Sequence, residues 1–401
     1  MEKHNSSQSR FHLWMPNIFE YKGGIQVYSA FFLQALQYLD PTAQYNVFLK
    51  QDTDAARPTA KLEYLSHTRF SFSGNWPWLI RTQMFASQLL FQGLLLHPTL
   101  VFVQHLHFAS VAYMLKHLTN VPYWIVVYGL EAWNVKNPLL QKALHSADHI
   151  LAISDYTRRR LVQEQQISPN KISLLPNPID FNRFSIQPKP AYLLERYQLR
   201  PEQPVILTVA RLAETERYKG YDQILAALTE IRQTIPDIHY VIVGKGPDQA
   251  RIEQLILQRD LQGHVTLTGF VPDSELSDHY NLCDLFAMPS KREGFGFVYL
   301  EALACGKPVI GGNQDGAVDA LCQGKLGILV DPDNIAEIAQ TIVQILQRRY
   351  EHPLLYQPER LRQAVIENFG FERFTQTLAG YLSTQLGQSD ECNAHHPFSH
   401  S

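Results

Sequence analysis

Residues 285–310, LFAMPSKREGFGFVYLEALACGKPVI, constrain the fold more than any other stretch of this 401-residue chain. Leu285 to Met288 is a short apolar run stopped by Pro289-Ser290, which reads as a buried strand and its exit. Phe297, Leu300, Leu303 and Ala304 recur at helical spacing, and Pro308-Val309-Ile310 opens a second buried strand. Between strand and helix stand Glu293-Gly294-Phe295-Gly296. Glycines on either side of Phe295 let backbone amides approach a ligand closely, and amides at a helix N-terminus favour an anion. Glu293 falls in the loop and Glu301 one turn into the helix, so both can face the crevice beyond the strand's carboxyl end.

The same alternation runs through both halves. In the first, Phe11 to Met15, Leu100 to Val103, Tyr123 to Val127 and Ile150 to Ile153 read as strands. Helical periods cover Ile25 to Tyr38, roughly residues 80–96, Val111 to Leu118 and Tyr156 to Val162, the last capped by Ser154. The second half restarts with Val205 to Val209, then a helix from Tyr221, strands at Tyr240 to Val243 and Val265 to Leu267, and the central stretch. Gly327 to Val330 and a helix from Ile335 to Leu346 follow. Such alternation calls for α/β architecture with parallel, doubly wound sheets. The division expected is residues 1–184, a proline-bearing linker at 185–204, residues 205–370, an amphipathic helix at 371–386 and a disordered tail at 387–401. Leu89 to Leu96 is too short to span a bilayer and reads as a buried helix. Trp76-Pro77-Trp78 reads as core filling, with a membrane-surface or sugar-stacking edge as the alternative.

Charge and cysteines bound the function. Residues 1–190 carry 17 Lys and Arg against 11 Asp and Glu, a net of +6, while residues 191–401 carry 18 against 27, a net of −9. A basic first half can lean on an anionic membrane surface or take an anionic acceptor; no patch reaches the density of a nucleic-acid binder. Cys283, Cys305, Cys322 and Cys392 show neither metal-ligand spacing nor a framework of pairs, which suits a reducing cytoplasm. The N-terminus lacks an apolar signal core. Asp52-Thr53-Asp54 reads as a solvated loop and Asp331-Pro332-Asp333-Asn334 as a turn and helix cap, so no metal is expected at either.

The central stretch resembles the E-x7-E signature of family-4 (group 1) retaining glycosyltransferases, with Glu293 and Glu301 at the signature's spacing and the small-residue run Glu301 to Gly306 after them. The resemblance implies the GT-B fold, two Rossmann-like domains facing a central cleft with the last helix crossing back to the N-terminal one. It implies transfer of a hexose from a GDP- or UDP-linked donor to a glycan or lipid-linked acceptor, with retention of configuration, as in polysaccharide biosynthesis. No cofactor or metal would take part, and the place would be the cytoplasm, with peripheral contact at the inner membrane face open to it. In such a site Glu293 sits by the donor sugar, Glu301 bonds the ribose hydroxyls, and the amides of Gly294, Phe295 and Gly296 hold the diphosphate. Arg211 and Lys219 resemble the family's diphosphate-binding arginine and lysine. Their spacing is longer than the usual one, and Lys219, just before Gly220 and a helix, fits better than Arg217. Gly23 and Gly24 match the glycine-rich loop that closes on the donor, and Phe270 and Val271 the strand exit that receives the base. On the acceptor side Tyr128-Gly129-Leu130-Glu131 stands where the family commonly has H-G-x-E. Tyr128 cannot be a cation near neutral pH, so His105 or His107 would have to reach in, or the contact is supplied otherwise. A nucleotide-sugar epimerase and an idle nucleotide-sugar-binding protein on the same fold are the alternatives. A dinucleotide oxidoreductase fits less well, because Gln249 replaces the third glycine after Gly244 and Gly246.

Overall fold

Short apolar runs become parallel strands in the computed structural model, which describes residues 8–20, 23–56 and 67–393, with side chains to residue 384. The first unit contains β1 (Arg10–Met15), α1 (Gly24–Leu39), β2 (Gln44–Leu49), β3 (Thr68–Phe72), α2 (Trp78–Leu96), β4 (Leu100–Val103), α3 (Ala109–Thr119), β5 (Tyr123–Val127), α4 (Pro138–Ser146), β6 (His149–Ala152), α5 (Asp155–Glu164) and β7 (Ile172–Leu174). Its strands lie in the order β3-β2-β1-β4-β5-β6-β7. The second unit, Ile179–Gly370, opens with α6 (Ala191–Arg196), β8 (Val205–Val209), α7 (Tyr221–Thr234), β9 (His239–Val243), α8 (Gln249–Gln258), β10 (Val265–Gly269) and α9 (Asp273–Leu282). It continues through β11 (Leu285–Met288), α10 (Phe297–Ala304), β12 (Val309–Gly312), α11 (Ala317–Ala320), β13 (Ile328–Val330), α12 (Ile335–Leu346) and α13 (Pro358–Phe369), with strand order β10-β9-β8-β11-β12-β13. The last helix, α14 (Phe371–Asn393), belongs to the first unit.

Each sheet grows outward from its first strand in both directions. Phe11 of β1 pairs with Tyr45 of β2 on one side and Leu100 of β4 on the other. Ile206 of β8 likewise pairs with Tyr240 of β9 and Leu285 of β11. The strand order therefore reverses between β1 and β4 and between β8 and β11, and at such a reversal the two following loops part and leave a crevice at the carboxyl ends. The cores are built from the runs that set the strands: Trp14, Val101, Ile125 and Ile150 in one unit, Ile206, Tyr240, Leu285 and Ile310 in the other, all 0% exposed.

Several expectations are revised. Residues 185–204 are held on the second unit: they carry α6, Lys189 Nζ reaches Asp284 Oδ2 at 2.7 Å, and Tyr197 OH meets His279 Nε2 at 2.8 Å. Asp52 is not solvated but wholly buried, and its carboxylate accepts the backbone N–H groups of Ile18, Phe19 and Glu20 at 2.6, 3.1 and 2.8 Å. It folds the loop after β1. Trp76 packs against the first core, but Trp78 is 77% exposed and fills nothing. Leu89 is buried as expected of a buried helix, yet Phe91, Leu94 and Leu95 face outward. The backbone of α14 continues to Asn393, past the expected start of a disordered tail; residues 394–401 lie outside the described residues.

Candidate active site

Two strand exits meet at the reversal point of the second sheet. After β8 the chain makes a short 3-10 turn, Glu214–Lys219, and Gly220 leads into α7. Gly220 has φ +86°, and a Cβ there would lie 2.4 Å from the carbonyl oxygen of Pro289, just past β11. Only a glycine allows that approach. The backbone N–H of Lys291 donates to the Tyr218 carbonyl at 2.9 Å, so residues 218–220 lie directly on the exit of β11. This contact brings Lys219 Nζ to 2.7 Å from Glu293 Oε2, with the side chains 17% and 16% exposed. Burial pulls the Lys219 ammonium toward neutrality. Glu293, with Tyr218 and Glu216 behind it, outweighs that pull and holds the pKa above the ordinary lysine value.

Glu293 is itself positioned by a residue from another loop. Its backbone N–H donates to Asp315 Oδ2 at 2.6 Å, and its carbonyl accepts the Gly316 N–H at 2.8 Å. Asp315 is wholly buried and also accepts from Ser290 Oγ at 2.7 Å and the Ala317 N–H at 2.9 Å. Burial pushes its carboxyl up to about 6, although the bonds from Glu293, Ser290 and Ala317 act the other way. Gly294 and Phe295 are buried, and Phe295 meets Phe369 edge-on with ring centroids 5.6 Å apart. Gly296 opens α10 at φ +91°, where a Cβ would fall 2.6 Å from the Tyr299 ring and 3.2 Å from Glu293 Cγ. The turn thus wraps closely round the root of Glu293.

Arg211 is placed differently from Lys219: its side chain is 74% exposed and ion-paired with Glu216. Tyr218, whose phenol is raised by burial, senses Lys219, Glu293, Glu216 and Arg211 together, so the four charges form one cluster. Arg217 turns to Asp248 instead, at 2.6 Å. Glu301 accepts from Tyr280 OH at 2.6 Å; burial raises its carboxyl, while Tyr280 and Arg183 lower it. At the exit of β10 the register slips between Leu267 and Gly269, Phe270 stands 67% exposed, and Lys245 Nζ lies 5.0 Å from its ring centroid. Val271 beside it is partly exposed.

The first unit repeats the pattern at the exits of β1 and β4. Gly23 caps α1 in extended conformation, its carbonyl accepts the Val27 N–H at 3.1 Å, and Gly24 begins the helix; Tyr21 and Lys22 lie outside the described residues. Past β4, His105 Nδ1 accepts the His107 N–H at 3.3 Å, and the two rings are 4.5 Å apart. Burial, with His107 and Lys50 nearby, drops His105 to about 4, so it is neutral at physiological pH. Tyr128 is buried, and its hydroxyl donates to Gln104 Oε1 at 2.8 Å. Gln104 is wholly buried, and its Nε2 has no hydrogen-bond partner among the described residues. Glu131 turns back to accept the Tyr128 N–H at 2.5 Å; burial raises its carboxyl and backbone amides lower it. Among the described residues no group of three His, Cys, Asp or Glu side chains is placed to hold a metal ion.

Residues 193–367 match the family model described as "Glycosyl transferases group 1", and residues 23–183 match "Glycosyltransferase Family 4". The first of these matches takes in β8 and β11 with their reversal point, and the second begins at Gly23, after β1, and runs through β7. The chain belongs to the group 1 glycosyltransferases. A GDP-mannose-dependent alpha-(1-6)-phosphatidylinositol monomannoside mannosyltransferase of Mycolicibacterium smegmatis is 34% identical over 221 residues, 53% of this chain and 56% of that relative. The match thus spans about half the length of this curated relative. Two solved structures show the fold: Anabaena HepE in complex with UDP (TM-score 0.74, 18% identity, 94% of this chain and 100% of that one) and sucrose-phosphate synthase from Thermosynechococcus elongatus (TM-score 0.77, 20% identity, 95% and 100%). The fold is GT-B.

Three residues of this group 1 chain's second unit escape the motif reading: Asp315, Tyr280 and Asp248. The sequence does show Gly311-Gly312-Asn313-Gln314-Asp315-Gly316 as a strand exit. An acid between glycines at a third exit beside the switch point was the available signal for Asp315. Tyr280 lies 21 residues before its partner Glu301 and Arg217 lies 31 before Asp248, so no local pattern links either pair; only Arg251, three residues after Asp248 at the start of α8, stands at a spacing the sequence shows.

Proposed function

We propose that this chain transfers a hexosyl group from a guanosine- or uridine-diphosphate sugar to a glycan or lipid-linked acceptor, with retention at the anomeric carbon and without a metal. The observation that carries the reading is Lys219 held 2.7 Å from Glu293, mostly buried, at the exit of β11. When the bond from the anomeric carbon to the diphosphate oxygen breaks, negative charge collects on the leaving group. A fixed ammonium and preorganised amides lower the barrier because they need no rearrangement as that charge appears. Lys219 and the amides around Gly294 and Gly296 supply these groups, and Arg211 adds a more exposed cation to the same cluster. Glu293 orients the donor sugar, and Glu301, fixed by Tyr280, takes the ribose hydroxyls. Phe270 and Val271 border the base. The acceptor oxygen attacks the face the diphosphate leaves, and its proton passes to the departing phosphate oxygen.

On the acceptor side the neutral His105, Tyr128 and the spare Gln104 amide donor recognise hydroxyls rather than a charged group. The relative named for GDP-mannose and the neighbour solved with UDP support both nucleotide classes as donors. The test is a thermal-shift panel of GDP, UDP and their hexoses, with and without chelator, followed by turnover of the donor that stabilises most. Stabilisation and turnover that survive chelation, with turnover lost in Glu293→Ala, are expected. Turnover that vanishes with chelator and returns with manganese refutes the metal-free mechanism. Stabilisation without transfer to any acceptor points to a binding protein, and a new sugar nucleotide without acceptor points to an epimerase.

A further inference from the structure

Arg217 and Lys219 stand two residues apart in the same short turn, Glu214–Lys219, yet only Lys219 meets Glu293. A 3-10 turn repeats every three residues, so side chains two apart leave it in different directions. Which cation reaches Glu293 therefore depends on how the turn is rotated, and in this chain the rotation is set from the other side, by Asp248. Asp248 immediately precedes α8, and its side chain is 3% exposed. Its carboxylate accepts from Arg217, with Nε at 3.1 Å and Nη2 at 2.6 Å, and from the Tyr221 hydroxyl at 3.0 Å. Arg217 comes two residues before Lys219, and Tyr221, wholly buried at the start of α7, comes two residues after it. One carboxylate thus grips the chain on both flanks of Lys219.

Asp248 can set that rotation because it is itself fixed. Its backbone N–H donates to the Leu212 carbonyl at 3.0 Å, and the Leu212 N–H donates to the Lys245 carbonyl at 3.1 Å, which laces the exit of β9 to the exit of β8. A Cβ on Gly246 would fall 1.9 Å from the Leu212 carbonyl oxygen, so the two exits lie as close as a glycine allows. From the first turn of α8, Arg251 donates to Asp248 through Nε at 2.9 and 3.0 Å and Nη2 at 2.6 Å, and Nη2 also reaches Asp222 on α7 at 3.0 Å. Arg251 above all holds the Asp248 carboxyl well below the usual carboxylate range, against the pull of burial, and Arg217 and Tyr221 add to it. Arg251 with Asp248 and Asp222 would be enough to tie α8 to α7. What Arg217 and Tyr221 add is a hold on the turn that carries Lys219.

We propose that Asp248 is a positioning residue for the transfer reaction: it draws Arg217 away from Glu293 and turns Lys219 toward it. The role rests on the reaction proposed above, in which Lys219 meets the departing diphosphate. A mutant cycle with Lys219→Met separates the two, read as nucleotide release from the GDP- or UDP-hexose that stabilises the chain most. Asp248→Asn keeps the shape of the side chain, but its amide cannot accept from both guanidiniums and the phenol; kcat should fall by about tenfold, because a small displacement of a charged group is costly at the reacting centre. In the Lys219→Met background the same change should lower kcat by less than about twofold, since the group it places is gone. Damage to packing alone would cost both backgrounds alike, and thermal midpoints record that damage separately. Arg217→Gln and Tyr221→Phe each remove one hold and leave Arg251 on Asp248, so they carry the test if Asp248→Asn does not fold. Each should lower kcat by about two- to fivefold, and only where Lys219 is present. Equal losses in the two backgrounds, or no loss in any of the three variants, overturn the role of Asp248. A Lys219→Met variant as active as the unaltered chain overturns instead the reading of the reaction on which that role rests.

Discussion

Lys219 and Glu293 neutralise one another before any substrate arrives, which keeps two mostly buried charges in place. Removing one partner should therefore be more damaging than a surface ion-pair deletion. Lys219→Met keeps the length of the side chain and removes its charge; turnover should fall by roughly 10² to 10³. Initial rates of nucleotide release check this, with the thermal midpoint as control, and a rate within a few fold of the unaltered protein would sink the role given to Lys219. Asp315 acts through Glu293 as a positioning residue, and its effect is visible in pH. Its folded carboxyl, at about 6, holds a proton more tightly than the ordinary value of 3.8. The folded state thus binds more protons across that interval, so this group's contribution to stability is greatest below pH 4 and falls as pH rises through 6. The loss is about 3 kcal/mol. Asp315→Asn should flatten that part of the stability–pH curve, read by urea midpoints from pH 4 to 7. It should also lower turnover by roughly tenfold or more, because the amide cannot accept at every position the carboxylate does. A curve as steep as that of the unaltered protein removes Asp315 from the account.

At the scale of the element, the loops after β8 and β11 work only because they touch. Gly220→Ala would set a Cβ 2.4 Å from the Pro289 carbonyl in a left-handed backbone. The expected penalty is about 1–3 kcal/mol, with weaker binding of nucleoside diphosphate because Lys219 is displaced from Glu293. Calorimetric titration with GDP and UDP measures it, and unaltered affinity would separate Lys219 from the binding of the diphosphate. The parallel sheets were legible in the sequence because β5 (YWIVV) and β11 (LFAM) are unbroken apolar runs between breakers, buried on both faces. By contrast β2 (QYNVFL) and β3 (TRFSF) carry polar residues within the run, and β7 is only three residues long, so none of the three stood out. The outward face of α2 was hidden for another reason. Its sequence, WLIRTQMFASQLLFQGLLL, is apolar round most of its circumference, and periodicity cannot say which apolar face meets the core. Asp52 was illegible because its three partners are backbone amides more than thirty residues away, which leave no mark in side-chain pattern.

At the scale of the whole molecule, the two units differ in how the chain builds them. The second is one continuous segment, Ile179–Gly370, whereas the first is completed only by the residues from Phe371 onward. Within the first unit Phe374 meets the buried Tyr28 edge-on at 5.5 Å, Phe371 lies against Phe31 at 6.0 Å, and Tyr381 OH donates to the Leu174 carbonyl at 2.8 Å. Phe374 and Leu378 are 4% and 0% exposed, so α14 covers α1 as a core element does. A chain lacking α14 leaves Tyr28, which is fully buried here, and its neighbours open to water, at about 1.5–3 kcal/mol for each large side chain exposed. Against a typical domain stability of about 5–15 kcal/mol, losing two or three such contacts removes much of the margin. The fragment 179–370 should therefore unfold cooperatively in urea on its own. The fragment 1–178 should show a broad transition and bind a hydrophobic dye, and joining residues 371–393 to it through a flexible linker should restore a sharp one. A sharp transition for 1–178 alone would mean that α14 packs on the first unit without completing it.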